Sequence, residues 1–503
     1  MREFEIKLSV PADFVVPDLA DPRLGVAAAE VLEPVRLSAT YFDTVDLRLA
    51  RHGVTLRRRT GGSDAGWHLK LPEVGGAPEA REEIQLGDDG SGTIPDQLLD
   101  LTAAYVRGRP LEVVATLDTD RRPTALQDAA GATLAELTDD TVTVSGGDQD
   151  GLVFREIEVE ARSGSDKQVR RIGKRLLAGG AAPSRASSKL VQALGAPAAA
   201  APDVLAPTRL GARAPAADAV AGSLRGNLAR IVGYDPLARL GRPDAVHQMR
   251  VGVRRMRSTL RTYAPVLEPD WAGRIDAELS WLADELGGVR EAEVFLDRIH
   301  RRIESMPPDD VDAAARRQLL SVLRADLRRG QARLSSSLRS TRYVSLLDQL
   351  VDAARAPQVL TGAEKPARKA VPALVQRSWR KLARGADALG TDSPEEEFHR
   401  VRKLAKRARY AAEDARAVAG DEAQTLAGEI ERVQTVLGEH QDAAHAIEQL
   451  TAILDRPRLG VRTSFLIGAI VGTERALMAK TRGDFAGLWQ RARRPRHRRW
   501  LKR

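Results

Sequence analysis

The hydrophobic periodicity of this chain changes near residue 200, and that change constrains the fold more than any other feature of the sequence. Residues 1–160 form short runs in which polar and apolar side chains alternate, separated by clusters of Gly, Pro and Asp. Such runs are typical of β-strands. Beyond about residue 217, apolar residues recur every three or four positions, which indicates α-helices. The sequence therefore predicts an α+β multidomain protein.

The segment between these two patterns marks a domain boundary. Residues 196–216 are rich in Pro and Ala and have no periodic apolar face, as expected for a linker. We therefore predict a β domain over residues 1–195, a helical domain over residues 217–485 and a basic tail over residues 486–503. A solvated, frayed end is the simpler interpretation of the tail, and anion binding is the alternative.

The composition excludes several classes of function. The chain has no cysteine, so disulfides, thiolate metal sites and cysteine nucleophiles are excluded. No apolar stretch is long enough to span a membrane, and the N-terminus lacks a signal-peptide core, so we expect a cytoplasmic protein without a membrane partner. Residues 1–200 hold 24 Lys and Arg against 31 Asp and Glu, which is a charge of −7. Because the whole chain has a net charge of +9, residues 201–503 carry +16. This asymmetry indicates an anionic partner for the second half.

Charged residues share one face of several predicted strands. In the first strand Glu3, Glu5 and Lys7 alternate with Phe4 and Ile6. Similar charged faces contain Arg57 and Arg59, His68 and Lys70, Arg81 and Glu83, and Glu156, Glu158 and Glu160. A solvated strand face is enough to explain any one of these patterns, but it does not explain a succession of faces that mix acidic and basic residues. If the sheet closes with these faces inward, Lys and Arg would contact phosphate oxygens, and carboxylates would reach them through Mg²⁺ or Mn²⁺.

The motifs on these strands resemble those of the CYTH (triphosphate tunnel metalloenzyme) family over about residues 1–195. They are Glu3-x-Glu5-x-Lys7, Tyr41-Phe42-Asp43-Thr44, Leu49 through Arg59, Trp67-His-Leu-Lys70 and Glu156-Ile-Glu158, in that order. The resemblance implies an eight-stranded antiparallel β-tunnel barrel with flanking helices. It also implies that the tunnel binds tripolyphosphate, thiamine triphosphate or a nucleoside triphosphate together with Mg²⁺ or Mn²⁺.

The same resemblance implies roles for individual residues. The catalytic set would be Glu3, Glu5 and Lys7; the substrate-binding set would be Arg57, Arg59, Lys70, Arg81, Glu83, Arg122 and Lys189; the metal-binding set would be Glu5, Glu158, Glu160 and Asp139. Three choices stay open between neighbours of the same type. They are Arg121 or Arg122, Asp139 or Asp140, and which two of Glu156, Glu158 and Glu160 form the acidic pair.

The helical domain contains an internal duplication with repeats over about residues 217–356 and 365–485. One helix face of the first repeat carries basic residues at spacings of 3, 4 and 3, and the second repeat carries a matching face. These residues are His247, Arg250, Arg254 and Arg257, matched by His399, Arg402, Lys406 and Arg409. An isolated Arg stripe is more often solvated, but a repeated one is suited to line a groove for an extended polyanion.

These residues resemble the CHAD (conserved histidine α-helical) domain. The resemblance implies two pseudo-symmetric four-helix bundles with a basic cavity between them that binds inorganic polyphosphate. Downstream acids such as Glu291 and Asp442 are interpreted as structural anchors for the basic helices. Metal ligation by His247 or His399 is not expected, because neither is followed four residues later by a His, Cys or acidic residue.

The function predicted from these features is hydrolysis of inorganic triphosphate or short polyphosphate by a metal-dependent tunnel enzyme, with polyphosphate binding by the helical domain. One alternative is a polyphosphate-binding or targeting protein without turnover. Another is a tunnel enzyme for thiamine triphosphate or a nucleoside triphosphate, including an adenylate cyclase. Nucleic-acid binding is not expected, because aromatic residues make up only 4% of the chain and no recognition signature is present.

Overall fold

The protein consists of two compact units, residues 1–203 and residues 204–503. The boundary lies within the predicted linker. In this computed structural model the described residues are 4–74, 81–147, 149–184, 186, 188–207, 209–211, 213–457 and 459–502; for Arg81 only the backbone is described. Each unit is considered separately below.

The first unit is built on one antiparallel β-sheet, which confirms the predicted class. The strands are β1 (Glu5–Val10), β2 (Ala28–Val31), β3 (Val35–Asp43), β4 (Thr55–Thr60), β5 (Gly66–Pro72), β6 (Arg81–Leu86), β7 (Glu112–Gln127), β8 (Thr133–Ser145), β9 (Val153–Ala161) and β10 (Ala182–Pro183). Their order is β10-β1-β9-β8-β7-β3-β4-β5-β6, and β2 pairs with β7. In the described part of the chain the strands number ten rather than the predicted eight; the two shortest, β2 and β10, have four and two residues.

Strand alternation separates a charged face of this sheet from an apolar face. On β9, Ile157 and Val159 are fully buried. They pack in one hydrophobic cluster with Val169 and Ile172 of α3 (Asp166–Ala178). Helix α3 begins with a capping box in which a serine and a glutamine exchange hydrogen bonds, which fixes the residue at which the helix starts. The opposite side chains of β9 are therefore directed to the charged face.

Short helices complete the first unit. They are α1 (Arg48–Arg51), α2 (Asp96–Val106), α4 (Lys189–Leu194) and α5 (Ala196–Ala199). Leu190 of α4 packs in a hydrophobic cluster with Leu117 and Val142, which are on the same side of the sheet as the charged face. This packing carries Lys189, the first residue of α4, to the charged residues of that face.

The second unit is entirely helical in its described residues. Its α-helices are α6 (Ala216–Arg239), α7 (Ala245–Thr262), α8 (Pro269–Glu304), α9 (Ala313–Leu338), α10 (Thr341–Arg355), α11 (Ala367–Asp387), α12 (Glu395–Asp414), α13 (Arg416–Leu454) and α14 (Val461–Ala492). Helices α6–α9 correspond in order to α11–α14, which agrees with the predicted duplication. The described first repeat contains α10 in addition, so it has five helices rather than four.

The two repeats share a hydrophobic core. One buried cluster combines Ile299 of α8 and Leu319 of α9 with Leu450 of α13 and Ile467 of α14. The repeats also meet through α7 and α12, the two helices that carry the basic stripes. None of the described helices is long and apolar enough to cross a membrane.

The C-terminal segment is folded, unlike the frayed tail expected from its charge. Helix α14 continues to Ala492, and a 3₁₀-helix follows over Pro495–Lys502. Trp500 and Leu501 are buried there, and the segment contacts α11 and α13. Apolar residues between the basic ones therefore attach the segment to the helical unit.

Candidate functional sites

Three carboxylates converge on the charged face of the sheet. Asp140 on β8 and Glu156 and Glu158 on β9 each offer an oxygen, and these oxygens all lie within 4.8 Å of one another. Lys189 Nζ is 3.1 Å from an Asp140 oxygen and 3.0 Å from a Glu158 oxygen, and it also pairs with Glu156. Three clustered carboxylates need compensating positive charge, and hard oxygen ligands of this kind suit Mg²⁺ or Mn²⁺.

The groups of this cluster differ in the direction of their pKa shifts. Burial raises the pKa of Glu156, although Lys189 opposes the shift. Burial acts in the same direction on Glu158, but Lys189, Lys7 and Arg121 outweigh it and hold the pKa of Glu158 well below its ordinary value. For Lys189, burial acts to lower the pKa, and the carboxylates prevail and raise it. At neutral pH the cluster therefore contains a charged Lys189 and an ionised Glu158.

Two further cations adjoin the carboxylates. Lys7 on β1 lies opposite Glu158 in the strand register, and its Nζ is 3.2 Å from oxygens of both Glu158 and Glu5. Arg121 on β7 is 2.7 Å from Asp140 and 3.6 Å from Glu158. The structure thus brings together Glu5, Lys7, Glu158 and Lys189 of the predicted set. Glu3 lies outside the described residues.

At two positions the sequence left a choice between adjacent residues of the same type, and because neighbours on a strand point to opposite faces, only one member of each pair reaches the cluster. Asp139 binds Arg155 at 2.7 Å, and that arginine also donates to backbone oxygens of residues 12 and 14. Asp140 is the residue that joins the carboxylate cluster. Arg122 is exposed, whereas Arg121 reaches the cluster.

Two other residues of the predicted metal-binding set, Glu160 and Glu5, lie outside the carboxylate cluster. Glu160 shares the face of Glu158 but pairs with Arg162 at 3.0 Å, and Glu156 takes its place in the three-carboxylate cluster. Glu5 lies outside this cluster and pairs with Lys7. Of the four predicted metal ligands, only Glu158 belongs to the described cluster. The charged repeat along β9 indicated the face but could not show which two acids meet β8.

A second group of charges occupies the same face on β4, β5 and β6. Glu83 accepts from Lys70 Nζ at 3.2 Å and from His68 Nδ1 at 2.9 Å, and it lies 3.9 Å from Arg57. Burial disfavours the charged form of Glu83, but the hydrogen bond with His68 and the charges of Lys70 and Arg57 lower its pKa to about 2. Arg57 also donates to the Tyr41 hydroxyl at 3.3 Å. The predicted residues Arg57, Lys70 and Glu83 are therefore brought together.

The remaining predicted residues of this group are placed less completely. Arg59 lies on the face of Arg57 and pairs with Asp64. Arg81 begins β6, and its side chain lies outside the described residues. Sequence analysis assigned no role to Tyr41 or His68, although both stand in the quoted motifs. Their alternation with the apolar residues Phe42 and Trp67 was the available signal.

The helical unit contains a basic cavity of about 430 Å³. Its lining residues are His247, Arg250, Arg254, Arg290, Glu291, Val294, Phe295, Arg298, His399, Arg402, Lys406, Gln441, Asp442, His445 and Ala446. Six of the eight predicted polyphosphate-binding residues are among them. Because they come from α7 and α12, one stripe from each repeat contributes to a single cavity. We call this feature the basic cavity.

The anchoring acids are arranged alike in the two repeats. Arg250 pairs with Glu291 at 3.1 Å, and Arg402 pairs with Asp442 at 3.4 Å. His399 Nδ1 also lies 2.5 Å from the Gln441 side-chain oxygen. The acids that the sequence indicated as anchors therefore hold matching arginines, and the cavity keeps an excess of positive charge.

Lys406 has the most perturbed environment in the basic cavity. Burial lowers its pKa to about 6, and Arg254, Arg402 and Arg250 add to the shift because like charges disfavour another cation. Within the described residues no ion pair involves Lys406 or Arg254; the Arg254 guanidinium lies 5.8 Å from the centre of the Tyr410 ring. The cavity is therefore arranged to accept negative charge that the protein does not supply.

Two predicted residues lie away from the basic cavity. Arg257 pairs with Asp276 at 2.9 Å, and Arg409 pairs with Glu413 at 3.1 Å and with Glu431 at 2.8 Å. Spacings of 3, 4 and 3 average less than the 3.6 residues of a helical turn, so the end of each stripe rotates away from its beginning. Such neutralised arginines contribute to helix packing.

Helices α8 and α13 supply lining residues that sequence analysis missed. Arg290 precedes the anchor Glu291, and Arg298 donates to Glu474 at 2.9 Å. His445 comes from α13. Arg290 directly precedes the acid Glu291 that the sequence indicated, which was a signal for it, whereas only the packing of α8 beside α7 identifies Arg298.

Comparisons with known proteins agree with this architecture. Residues 1–186 match the CYTH domain family, and residues 222–451 match the CHAD domain family. Uncharacterized protein Rv2226 of Mycobacterium tuberculosis is 35% identical over 478 residues, covering 90% of this chain and 89% of the relative. PptA from Streptomyces chartreusis has 21% identity and a TM-score of 0.47, covering 55% of this chain and 99% of PptA. The CHAD domain from Ricinus communis has 23% identity and a TM-score of 0.45, covering 56% and 94%. The chain therefore belongs to the proteins that join an N-terminal CYTH domain to a CHAD domain.

Proposed function

We propose that this protein is a Mg²⁺- or Mn²⁺-dependent phosphohydrolase that cleaves inorganic triphosphate or short polyphosphate, and that its helical unit binds polyphosphate. The observation that carries the proposal is the pairing of two kinds of group on one sheet face. Asp140, Glu156 and Glu158 form a carboxylate cluster in contact with Lys7 and Arg121, and the cations of β4 and β5 lie on the same face of the sheet. Membership of the CYTH family supports a triphosphate-type substrate.

The carboxylate cluster fits a divalent cation by its donor set. Asp140, Glu156 and Glu158 would hold Mg²⁺ or Mn²⁺, which supplies charge neutralisation and a more acidic water in phosphoryl transfer. Lys7, Arg57, Lys70 and Arg121 would bind the phosphate oxygens, because ammonium and guanidinium donors form strong hydrogen bonds with them. Lys189, charged at neutral pH, would add a donor beside the carboxylates.

Positioning and electrostatic stabilisation account for most of the catalysis in phosphoryl transfer. The cations on this face lie on strands that are hydrogen-bonded to one another, so they are ordered before substrate binds. Buried carboxylates between them prevent mutual repulsion in the free protein. A phosphate chain would then replace carboxylates as the partner of some of these cations, at little cost of reorganisation.

The direct test is phosphate release from tripolyphosphate, thiamine triphosphate and ATP with Mg²⁺ or Mn²⁺. We expect turnover of tripolyphosphate that Asp140→Asn lowers by at least about 100-fold, because a ligand of the cation loses its charge. Asp139→Asn is the matched control, since the neighbouring residue faces away from the cluster and should keep turnover. Cyclic AMP formation from ATP would instead identify a cyclase. Absence of any turnover, with binding of long-chain polyphosphate retained, would leave a polyphosphate-binding protein.

The basic cavity supports the second part of the proposal. Its basic side chains Arg254 and Lys406 have no ion-pair partner within the described residues, so an entering polyanion gains contacts without breaking internal ion pairs. Membership of the CHAD family supports inorganic polyphosphate as that polyanion. Binding of long-chain polyphosphate by the full chain, measured by calorimetry, is the test. Binding unaffected by Arg254→Gln would locate the polyphosphate site elsewhere.

A further inference from the structure

His68 is a buried histidine whose two ring nitrogens both contact acceptors. It lies on β5 with only 2% of its surface exposed. Its Nδ1 is 2.9 Å from a Glu83 carboxylate oxygen, and its Nε2 is 2.8 Å from the backbone oxygen of Asp64. A backbone carbonyl can only accept a hydrogen bond, so Nε2 must carry a proton.

The second nitrogen has the same requirement. Glu83 is ionised at neutral pH, and an ionised carboxylate can only accept, so Nδ1 must carry a proton as well. A neutral imidazole has one N–H and would leave one of the two contacts as a repulsion between lone pairs. Both hydrogen bonds form together only in the imidazolium, which places a fixed positive charge behind Glu83.

This charge matters for the neighbouring cations. Glu83 also contacts Lys70 at 3.2 Å and lies 3.9 Å from Arg57. Without a charge on His68, the single carboxylate would offset one of these two cations. With it, the group of His68, Glu83, Lys70 and Arg57 carries two net positive charges, and His68 and Lys70 contact different oxygens of the carboxylate.

We propose that His68 is a positioning residue for phosphate binding. As an imidazolium it fixes the Glu83 carboxylate and offsets its negative charge, so that the positive charges of Lys70 and Arg57 remain available to the substrate phosphates. The inference rests on the proposed function, because it assigns the phosphates of that substrate to Lys70 and Arg57. Among the described residues, the hydrogen bonds of the His68 ring go to Glu83 and to the Asp64 backbone, not to the carboxylate cluster. It acts through Glu83.

The charged groups around the ring come from each neighbouring segment. Strand β4 contributes Arg57, directly opposite His68 in the register, and β6 contributes Glu83 and the neutral Gln85. The loop before β5 contributes Asp64, which pairs with Arg59, and the strand of His68 itself contributes Lys70. Glu83 is the one carboxylate of this group in contact with the ring, so its removal should remove the requirement for the second proton.

Nuclear magnetic resonance of the full chain tests the protonation without substrate. Histidine labelled with ¹⁵N, at about pH 7.5, should show one imidazolium with two bonded protons that disappears in His68→Gln. In Glu83→Gln the same ring should become neutral. A neutral His68 in the wild type, or an imidazolium that persists in Glu83→Gln, would overturn the proposal. Neither result depends on catalytic activity.

A double-mutant cycle tests the consequence for phosphate binding. The affinity of the full chain for tripolyphosphate, measured by calorimetry, should fall about tenfold in His68→Gln, which corresponds to loss of one hydrogen bond to a charged group. In the Glu83→Gln background the same change should have little further effect. Equal losses in both backgrounds would show a purely structural role and overturn the proposal. If tripolyphosphate is bound but not cleaved, the proposed activity fails while the cycle still decides the role of His68.

Discussion

At the residue scale, the important distinction is between cations that have a carboxylate partner and cations that do not. On the sheet, Lys7, Arg121 and Lys189 each contact carboxylates. In the basic cavity, Lys406 is buried among arginines instead. Under the proposed function, the cations on the sheet would exchange their carboxylate partners for substrate phosphates. Lys406 has no carboxylate ion-pair partner within the described residues, so an anion would be its first. These two arrangements lead to different pH behaviour.

Polyphosphate binding should depend on pH through Lys406. Its pKa of about 6 in the free protein means that the side chain is mainly neutral at pH 8 and that a bound polyanion must raise its pKa by taking up a proton. Affinity should therefore weaken as pH rises above about 6, by at most about tenfold per pH unit. Calorimetry between about pH 6.5 and 8.5 measures this dependence, above the range in which His247, whose pKa is lowered, titrates.

The matched control is Lys406→Arg, because a guanidinium stays charged over this range. Its affinity for polyphosphate should vary little with pH. An equal pH dependence in wild type and Lys406→Arg would assign the titration to another group.

Adjacent arginines on β7 offer a prediction that isolates side-chain direction. Arg121→Gln removes a cation 2.7 Å from Asp140, and turnover of tripolyphosphate should fall by about 100-fold or more. Arg122→Gln removes an exposed cation of the same type and should change turnover by less than about twofold. Steady-state phosphate release from the two purified variants measures the difference. Similar losses would contradict the assignment of Arg121 to the charged face.

At the element scale, periodicity predicted much of the fold but not the details of the sites. Alternation on β9 identified the charged face, since Ile157 and Val159 are apolar neighbours of acids. Alternation could not choose between residues 121 and 122, or between residues 139 and 140, because both members of each pair are charged and either could face inward. Helical spacing likewise identified α7 and α12, but it could not show that the last arginine of the first stripe, Arg257, would pair with Asp276. Register and helix rotation are tertiary properties.

Close packing of α6 against α7 depends on a glycine. A Cβ at Gly252 would lie 2.8 Å from an Ile231 side-chain atom and 3.0 Å from the Asn227 backbone oxygen. Gly252→Ala should therefore lower the free energy of unfolding by about 1–3 kcal/mol. It should also weaken polyphosphate binding, since α7 carries Arg250 and Arg254. Denaturant unfolding followed by circular dichroism measures the first effect and calorimetry the second.

Gly273 in α8 is the matched control, because a Cβ there would meet no atom within 4 Å. Gly273→Ala should raise the free energy of unfolding by about 0.5–1 kcal/mol through helix propensity. If Gly252→Ala were as stable as Gly273→Ala, the close approach of α6 and α7 would not limit the size of residue 252.

At the scale of the whole molecule, each unit contains a complete site of its own. The carboxylate cluster and its cations all belong to residues 1–203, and the lining of the basic cavity belongs to residues 204–503.

Because the two sites lie in different units, substitutions should remove tripolyphosphate turnover and polyphosphate binding separately in the full chain. Glu158→Gln should abolish turnover of tripolyphosphate, with a fall of at least about 100-fold, and leave the affinity for long-chain polyphosphate unchanged. The combined change Arg254→Gln and Lys406→Gln should do the reverse, because these two basic side chains have no ion-pair partner within the described residues, so their truncation leaves no buried carboxylate unpaired. Phosphate release and calorimetry on the same preparations measure both properties. Loss of both activities in either variant would mean that the two sites are energetically coupled, and the coupling would then be the property to explain.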